Sequence, residues 1–212
     1  MEHVNSWRDS ADVFKQQLSL NMRELQSSYP VHWRHLVKSL EFLTTKCDAR
    51  RLVDIGCGAG VYSELIRKHF PEMSYVGYDY SDSALEIARG SWPSDTDFRL
   101  AKYQDISPSD MEDGDVIVVN GLLDILPNGD EALEHLLSLS CKFLLLQRIN
   151  LTAELSNYRV YRAYNVIDTY EYRHNVSRFF NLLKEHGYLC KSDEIIGCSD
   201  YHALNVMLIK ND

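Results

Sequence analysis

Apolar residues at Phe14, Leu18, Met22 and Leu25 are spaced by four and three, which places them on one helical face. Pro30 interrupts that run, and Trp33, Leu36, Val37, Leu40 and Leu43 then repeat the same periodicity. Two amphipathic helices are therefore predicted before any sheet begins. From Arg51 the texture changes to short apolar runs at 52–55, 74–78, 97–101, 116–119 and 142–147, separated by helical stretches near 61–69, 83–89 and 131–139. Strands alternating with helices predict βαβ units and a mostly parallel sheet. Ser83 with Glu86 three residues later reads as a capping box for the second of those helices.

After about residue 150 the alternation stops. Residues 151–175 hold five tyrosines and little regular periodicity, and helical spacing resumes at Val176, Phe179, Phe180 and Leu183 until Gly187. Two last apolar runs, 189–196 and 203–209, flank Gly197-Cys198-Ser199-Asp200 with no helix between them, so they are predicted to pair antiparallel. No internal repeat, low-complexity tract or linker divides the chain.

Composition narrows the class. A chain of 212 residues, 45% hydrophobic and 25% charged, has enough material for one core without a disulfide or metal staple. A formal charge of −9, with no basic run, argues against a nucleic-acid partner, because phosphate neutralisation needs a surplus of Lys and Arg. The five cysteines are odd in number and scattered, with no C-x-x-C pair, which predicts free thiols, no metal site and a reducing compartment. The opening residues lack the basic and apolar regions of a secretion signal, and no apolar run approaches membrane-spanning length. A cytoplasmic protein without a membrane partner is the expectation.

Chemistry first enters at Leu52-Val53-Asp54-Ile55-Gly56-Cys57-Gly58-Ala59-Gly60, an apolar strand running into a glycine-rich turn and then a helix. Such a turn brings backbone N–H groups and a helix N-terminus against a ligand at the carboxyl edge of a parallel sheet. The spacing is G-x-G-x-G rather than the G-x-G-x-x-G of dinucleotide sites, and no phosphate-binding G-x-x-x-x-G-K-[ST] is present.

Val53–Gly60 closely resembles the first motif of the class I S-adenosylmethionine-dependent methyltransferases. That resemblance implies that Asp54, Gly56, Cys57, Gly58 and Gly60 surround the methionine part of the cofactor. It further implies that Asp79, nineteen residues beyond Gly60, accepts from both ribose hydroxyls, since a carboxylate can accept two hydrogen bonds from a cis-diol. Asp105 is then expected to accept from the adenine amino group, with Ile106 and Tyr80 against the two faces of the ring and Asn120 at the entry to the substrate site. The order of elements resembles the family over roughly residues 31–210.

The implied architecture is α/β: a Rossmann-like, seven-stranded, mostly parallel sheet with a C-terminal antiparallel strand pair, helices on both faces and an N-terminal helical extension. One domain is expected over 1–212, with helices at 1–47, a cofactor-binding half at 51–150, and a substrate-side insert with the terminal strands at 151–212.

Methyl transfer from a sulfonium is an in-line displacement, so the protein chiefly aligns the acceptor and excludes water. Tyr161, Tyr164, Tyr172 and Arg173 are expected to line the acceptor pocket, offering ring faces, hydroxyls and a cation; Arg159 and Arg162 lie in the same stretch. His174 is the candidate general base for a protonated acceptor, with Glu171 to orient it. Both segments also read as ordinary packing and solvated charge.

The enzymes that methylate nucleobase or glutamine nitrogens carry Pro-Pro and an aromatic after the fourth strand. Here that position reads Asn120-Gly-Leu-Leu, which disfavours them. The expectation is methyl transfer to a hydroxyl or amine of a small molecule, a metabolite or glycan precursor, releasing S-adenosylhomocysteine. The alternative is a non-catalytic, cofactor-binding partner subunit of the same fold. For the N-terminal helices, with His32 and Trp33, a lid, a packing extension and a homodimer surface are the three readings.

Overall fold

The computed structural model describes residues 6–8, 10–197 and 202–211. Of Gly197-Cys198-Ser199-Asp200, between the two last predicted runs, residues 198–200 lie outside the described residues.

The two N-terminal helices are α1 (Ala11–Leu25) and α2 (Val31–Lys46), and the chain then runs β1 (Arg51–Ile55), α3 (Val61–His69), β2 (Ser74–Asp79), α4 (Asp82–Ser91), β3 (Asp97–Leu100) and β4 (Asp115–Asn120). The second half comprises α5 (Gly129–Ser138), β5 (Phe143–Thr152), β6 (Asn157–Ala163), β7 (Ile167–Asn175), α6 (Val176–Glu185), β8 (Tyr188–Gly197) and β9 (His202–Lys210). Strands β1 to β5 are parallel, in the order β3-β2-β1-β4-β5, and β9 runs antiparallel between β5 and β8. The expected seven-stranded Rossmann-like sheet is therefore present.

Two expectations are corrected. Residues 151–175 are not irregular: β6 and β7 form an antiparallel hairpin in full register from Asn157↔Arg173 to Ala163↔Ile167. That hairpin joins the sheet where Leu151 and Thr152, at the end of β5, pair with His174 and Asn175. The cap of α4 is Ser81 rather than Ser83, its hydroxyl accepting from the Ala84 N–H at 3.3 Å, so the helix starts at Asp82.

Strand periodicity divides the core between the two sheet faces. Val53, Ile55, Ile117, Val119, Leu144 and Leu146 pack with α5 and α6, whereas Leu52, Val116, Val118, Phe143 and Leu145 pack with α2, α3 and α4. Both faces being covered explains why the central strands read as apolar runs rather than as alternation. The carboxyl ends of β1, β2, β4 and β5 are thereby held at one edge, below α1. Among the described residues no helix is long and apolar enough to cross a membrane.

Candidate active site

The loop between β1 and α3 uses three left-handed glycines, Gly56, Gly58 and Gly60, at φ of 82°, 54° and 77°. At Gly60 the requirement is steric as well, because a Cβ there would sit 2.6 Å from the Phe98 ring. Neighbouring groups hold the loop: the Gly56 and Cys57 N–H groups donate to the Tyr78 carbonyl at 2.8 and 3.0 Å, and the Trp92 indole donates to the Ala59 carbonyl at 2.6 Å.

Asp79 ends β2, where its Oδ2 accepts from Gly58 N–H at 2.8 Å and its Oδ1 from Ser81 N–H at 2.9 Å. Burial raises its pKa, and the N–H groups of Ser81, Gly58 and Tyr80 oppose that rise. Asp54 is 3% exposed and accepts from the Tyr75 hydroxyl at 2.9 Å. Burial pushes its carboxyl up to about 7, the Tyr75 bond working against the shift and Asp79 adding to it. Burial pushes the Cys57 thiol up too, so it is not a nucleophilic thiolate.

Two chambers meet over this loop and share Trp7, Gly56, Asp79, Tyr80, Leu122 and Ile125. The first lies beyond β3 and is walled by Tyr78, Ala101, Lys102, Tyr103 and Gln104. The second opens toward β4 and β5 and takes in Asp54, Cys57, Gly58, Asn120, Arg148, Tyr161 and Tyr164. Asn120 Oδ1 is buried there without a hydrogen-bond partner. Burial raises the Tyr161 phenol to about 12.

The structure thus brings together, around one cleft, Asp54, Gly56, Cys57, Gly58, Asp79, Tyr80, Asn120, Tyr161 and Tyr164, with Gly60 shaping the loop beneath. Five expected residues lie outside it. Asp105 is exposed at the end of a 3-10 turn and Ile106 belongs to the core against α5, so the wall beyond β3 is residues 101–104 instead. His174 is fully buried between Tyr172 and Phe179, its Nδ1 2.7 Å from Asp130 Oδ1. Its position in β7, buried against Phe179 of α6 and Asp130 of α5, keeps it out of both chambers. Tyr172 meets that imidazole edge to face, and Arg173 donates to Glu171, which also holds Arg159, so Glu171 does not orient His174.

Several cleft residues carry no motif and escape a reading by spacing. Arg148, one residue beyond the last β4–β5 pair at Gln147 and so at the carboxyl edge of the parallel ladder, is the cation of the second chamber. Tyr62 donates to Gln147 Oε1 at 2.6 Å and Gln147 donates to the His32 carbonyl at 2.7 Å, tying α2 and α3 to β5. Gln17 on α1 accepts from the Ala59 N–H at 2.9 Å, and Trp7 reaches both chambers. A strand's carboxyl end in an open α/β sheet is itself a signal, and it would have flagged Arg148.

Residues 53–141 match the family described as methyltransferase domain. Trans-aconitate 2-methyltransferase of Variovorax paradoxus is 34% identical over 89 residues, 42% of this chain and 34% of that protein. The matched segment spans about a third of that relative's length. Magnesium protoporphyrin IX methyltransferase of Synechocystis PCC 6803, solved with bound S-adenosylmethionine, superposes with a TM-score of 0.62 at 14% identity over 95% of each chain. Human N-acetylserotonin methyltransferase does so with a TM-score of 0.64 at 14% identity, over all of this chain and 59% of that one. The methyltransferase-domain match thus covers the segment that carries the glycine loop, and the chain as a whole has the Rossmann-like fold of solved S-adenosylmethionine-dependent methyltransferases.

Proposed function

We propose that the protein moves the methyl group of S-adenosylmethionine to an oxygen or nitrogen of a small molecule. The observation that carries this reading is Asp79, a buried carboxylate locked by two backbone N–H groups at the junction of the two chambers. A carboxylate so fixed suits a cis-diol, the first chamber suits a planar base against Tyr80 and Tyr103, and the second suits the methionine part. Asp54 and the unpartnered Asn120 Oδ1 fit a ligand that brings positive charge and N–H donors. When bound, the cofactor supplies a methyl group already activated on a sulfonium.

The chain's own work is then positioning. The glycine loop and Asp79 fix the cofactor, while Arg148, Tyr161 and Tyr164 hold the acceptor. Trp7 and α1 exclude water from above. A relative named for trans-aconitate, a tricarboxylate, supports a small-molecule acceptor.

Titration calorimetry with S-adenosylhomocysteine tests the reading. Binding with a Kd on the order of micromolar is expected, and about 100-fold weaker binding for Asp79→Asn. A wild-type protein that takes up neither S-adenosylhomocysteine nor S-adenosylmethionine would overturn it. Binding with no transfer to any acceptor would favour the non-catalytic alternative.

A further inference from the structure

Strand β5 breaks its register with β9 at one place. Leu146 pairs with Val206 and Ile149 with Leu204, so Gln147 and Arg148 together oppose the single residue Asn205. This is a β-bulge, a device that re-aims a side chain. Asn205 Oδ1 accepts the Arg148 N–H at 3.0 Å, and Arg148 takes a φ of 62°, a conformation disfavoured for a residue with a Cβ.

The result is a guanidinium delivered into the second chamber. Gly121 makes room for it, since a Cβ there would lie 3.1 Å from Arg148 Nη1. The side chain keeps 44% of its surface exposed, and Asp124 Oδ2 stands 3.7 Å from Nη2, beyond hydrogen-bond length. Glu24 on α1 and His32 on α2 line the same chamber. In a chain of charge −9, strain and space are both committed to presenting this cation where an acceptor would enter. Its planar fork of donors matches a carboxylate.

We propose that Arg148 binds the methyl acceptor through a carboxylate, and that the acceptor is a small carboxylic acid methylated on a carboxylate oxygen. This rests on the function proposed above and names its substrate class. In the step, a carboxylate oxygen forms a bond to the methyl carbon while the C–S bond breaks and its electron pair moves to sulfur. The products are a methyl ester and a neutral thioether, and no proton is released. No general base is needed, which suits a chamber whose imidazole, His32, is pushed down to about 3 by burial and then by Arg148. Burial raises the pKa values of the two acidic side chains nearby; Arg148 is the main charge opposing that rise at Asp124, while at Glu24 Arg23 opposes it more than Arg148 does.

The test incubates the wild type, Arg148→Ala, Arg148→Lys and Arg162→Ala with methyl-labelled S-adenosylmethionine. The acceptor panel holds mono-, di- and tricarboxylates and the matching alcohols and amines. Products are treated with alkali, which releases methanol from a methyl ester and leaves ethers and N-methyl groups intact. Volatile label is expected from carboxylates alone. Arg148→Ala should lower kcat/KM by about 30-fold or more, chiefly through KM, with partial recovery in Arg148→Lys. Arg162→Ala, which loses only the hairpin pair with Asp168, should match the wild type.

Calorimetry with S-adenosylhomocysteine should give all four proteins affinities within about 3-fold of one another, the range allowed for residues outside the cofactor site. Alkali-stable label, no transfer to any carboxylate by a protein that binds S-adenosylhomocysteine, or Arg148→Ala keeping kcat/KM or losing cofactor affinity would overturn the assignment. Absence of S-adenosylhomocysteine binding in the wild type would instead overturn the function on which it rests.

Discussion

Two carboxylates, Asp54 and Asp79, are buried in the chamber beside the glycine loop, and burying charge works against stability. Asp54 shows the consequence most clearly, its carboxyl standing near 7 instead of 3.8. Between those two values the folded protein holds a proton that the unfolded chain has released. Stability therefore falls as pH rises from about 4 to about 7 and stays low above that. Asp54→Asn removes the term: thermal melts should show a clear gain at pH 8, on the order of 2–4 kcal/mol, and little change at pH 4. On the proposed function, the same variant should bind S-adenosylmethionine more weakly, because it loses a carboxylate lining the chamber where the cationic end of that ligand would sit. A melt at pH 8 no higher than the wild type's would show that Asp54 is not strained by its burial.

The gathering of Gly56–Gly60, Asp79 and Tyr80 around one cleft was legible where glycine spacing and strand length fix it. Arg148 was not, because its direction depends on a bulge set by Asn205, 57 residues away, and no local pattern encodes that pairing.

At the scale of elements, the central strands and their helices follow from periodicity because both sheet faces are covered. The β6–β7 hairpin did not, since six consecutive residues of β6 are exposed and show no apolar alternation. Missing the hairpin misplaced His174. In an unstructured insert it would be free to reach an acceptor, but in β7 it is locked to Asp130, which also pairs with Arg178 at 2.7 Å and caps the packing of α5 on α6. His174→Ala should therefore cost about 2 kcal/mol in denaturant unfolding, from a lost buried hydrogen bond and a cavity beside Phe179. Its S-adenosylhomocysteine affinity and methyl-transfer rate should stay within about 3-fold of the wild type. A rate loss of about 100-fold with affinity and stability intact would return His174 to the chemistry.

At the scale of the molecule, the N-terminal segment bridges the two walls of the cleft. Trp7 donates its indole N–H to Thr169 on β7 at 2.7 Å, and the Arg8 carbonyl accepts from Ser81 at the start of α4 at 2.9 Å. Helix α1 then reaches the glycine loop through Gln17. These contacts span the mouths of both chambers, which is the placement the lid reading requires. A ligand filling the cleft would add contacts to Trp7, Phe14 and Gln17 and stabilise the closed arrangement by mass action. Saturating S-adenosylhomocysteine should slow amide hydrogen exchange across Ala11–Leu25 by about tenfold or more, while β5 and β9, already in the protected centre, change little. Trp7→Ala should abolish most of that protection and speed dissociation of the ligand in stopped-flow measurements. Exchange in α1 that does not respond to a ligand bound in the cleft would show that the helix is a fixed part of the fold rather than its cover.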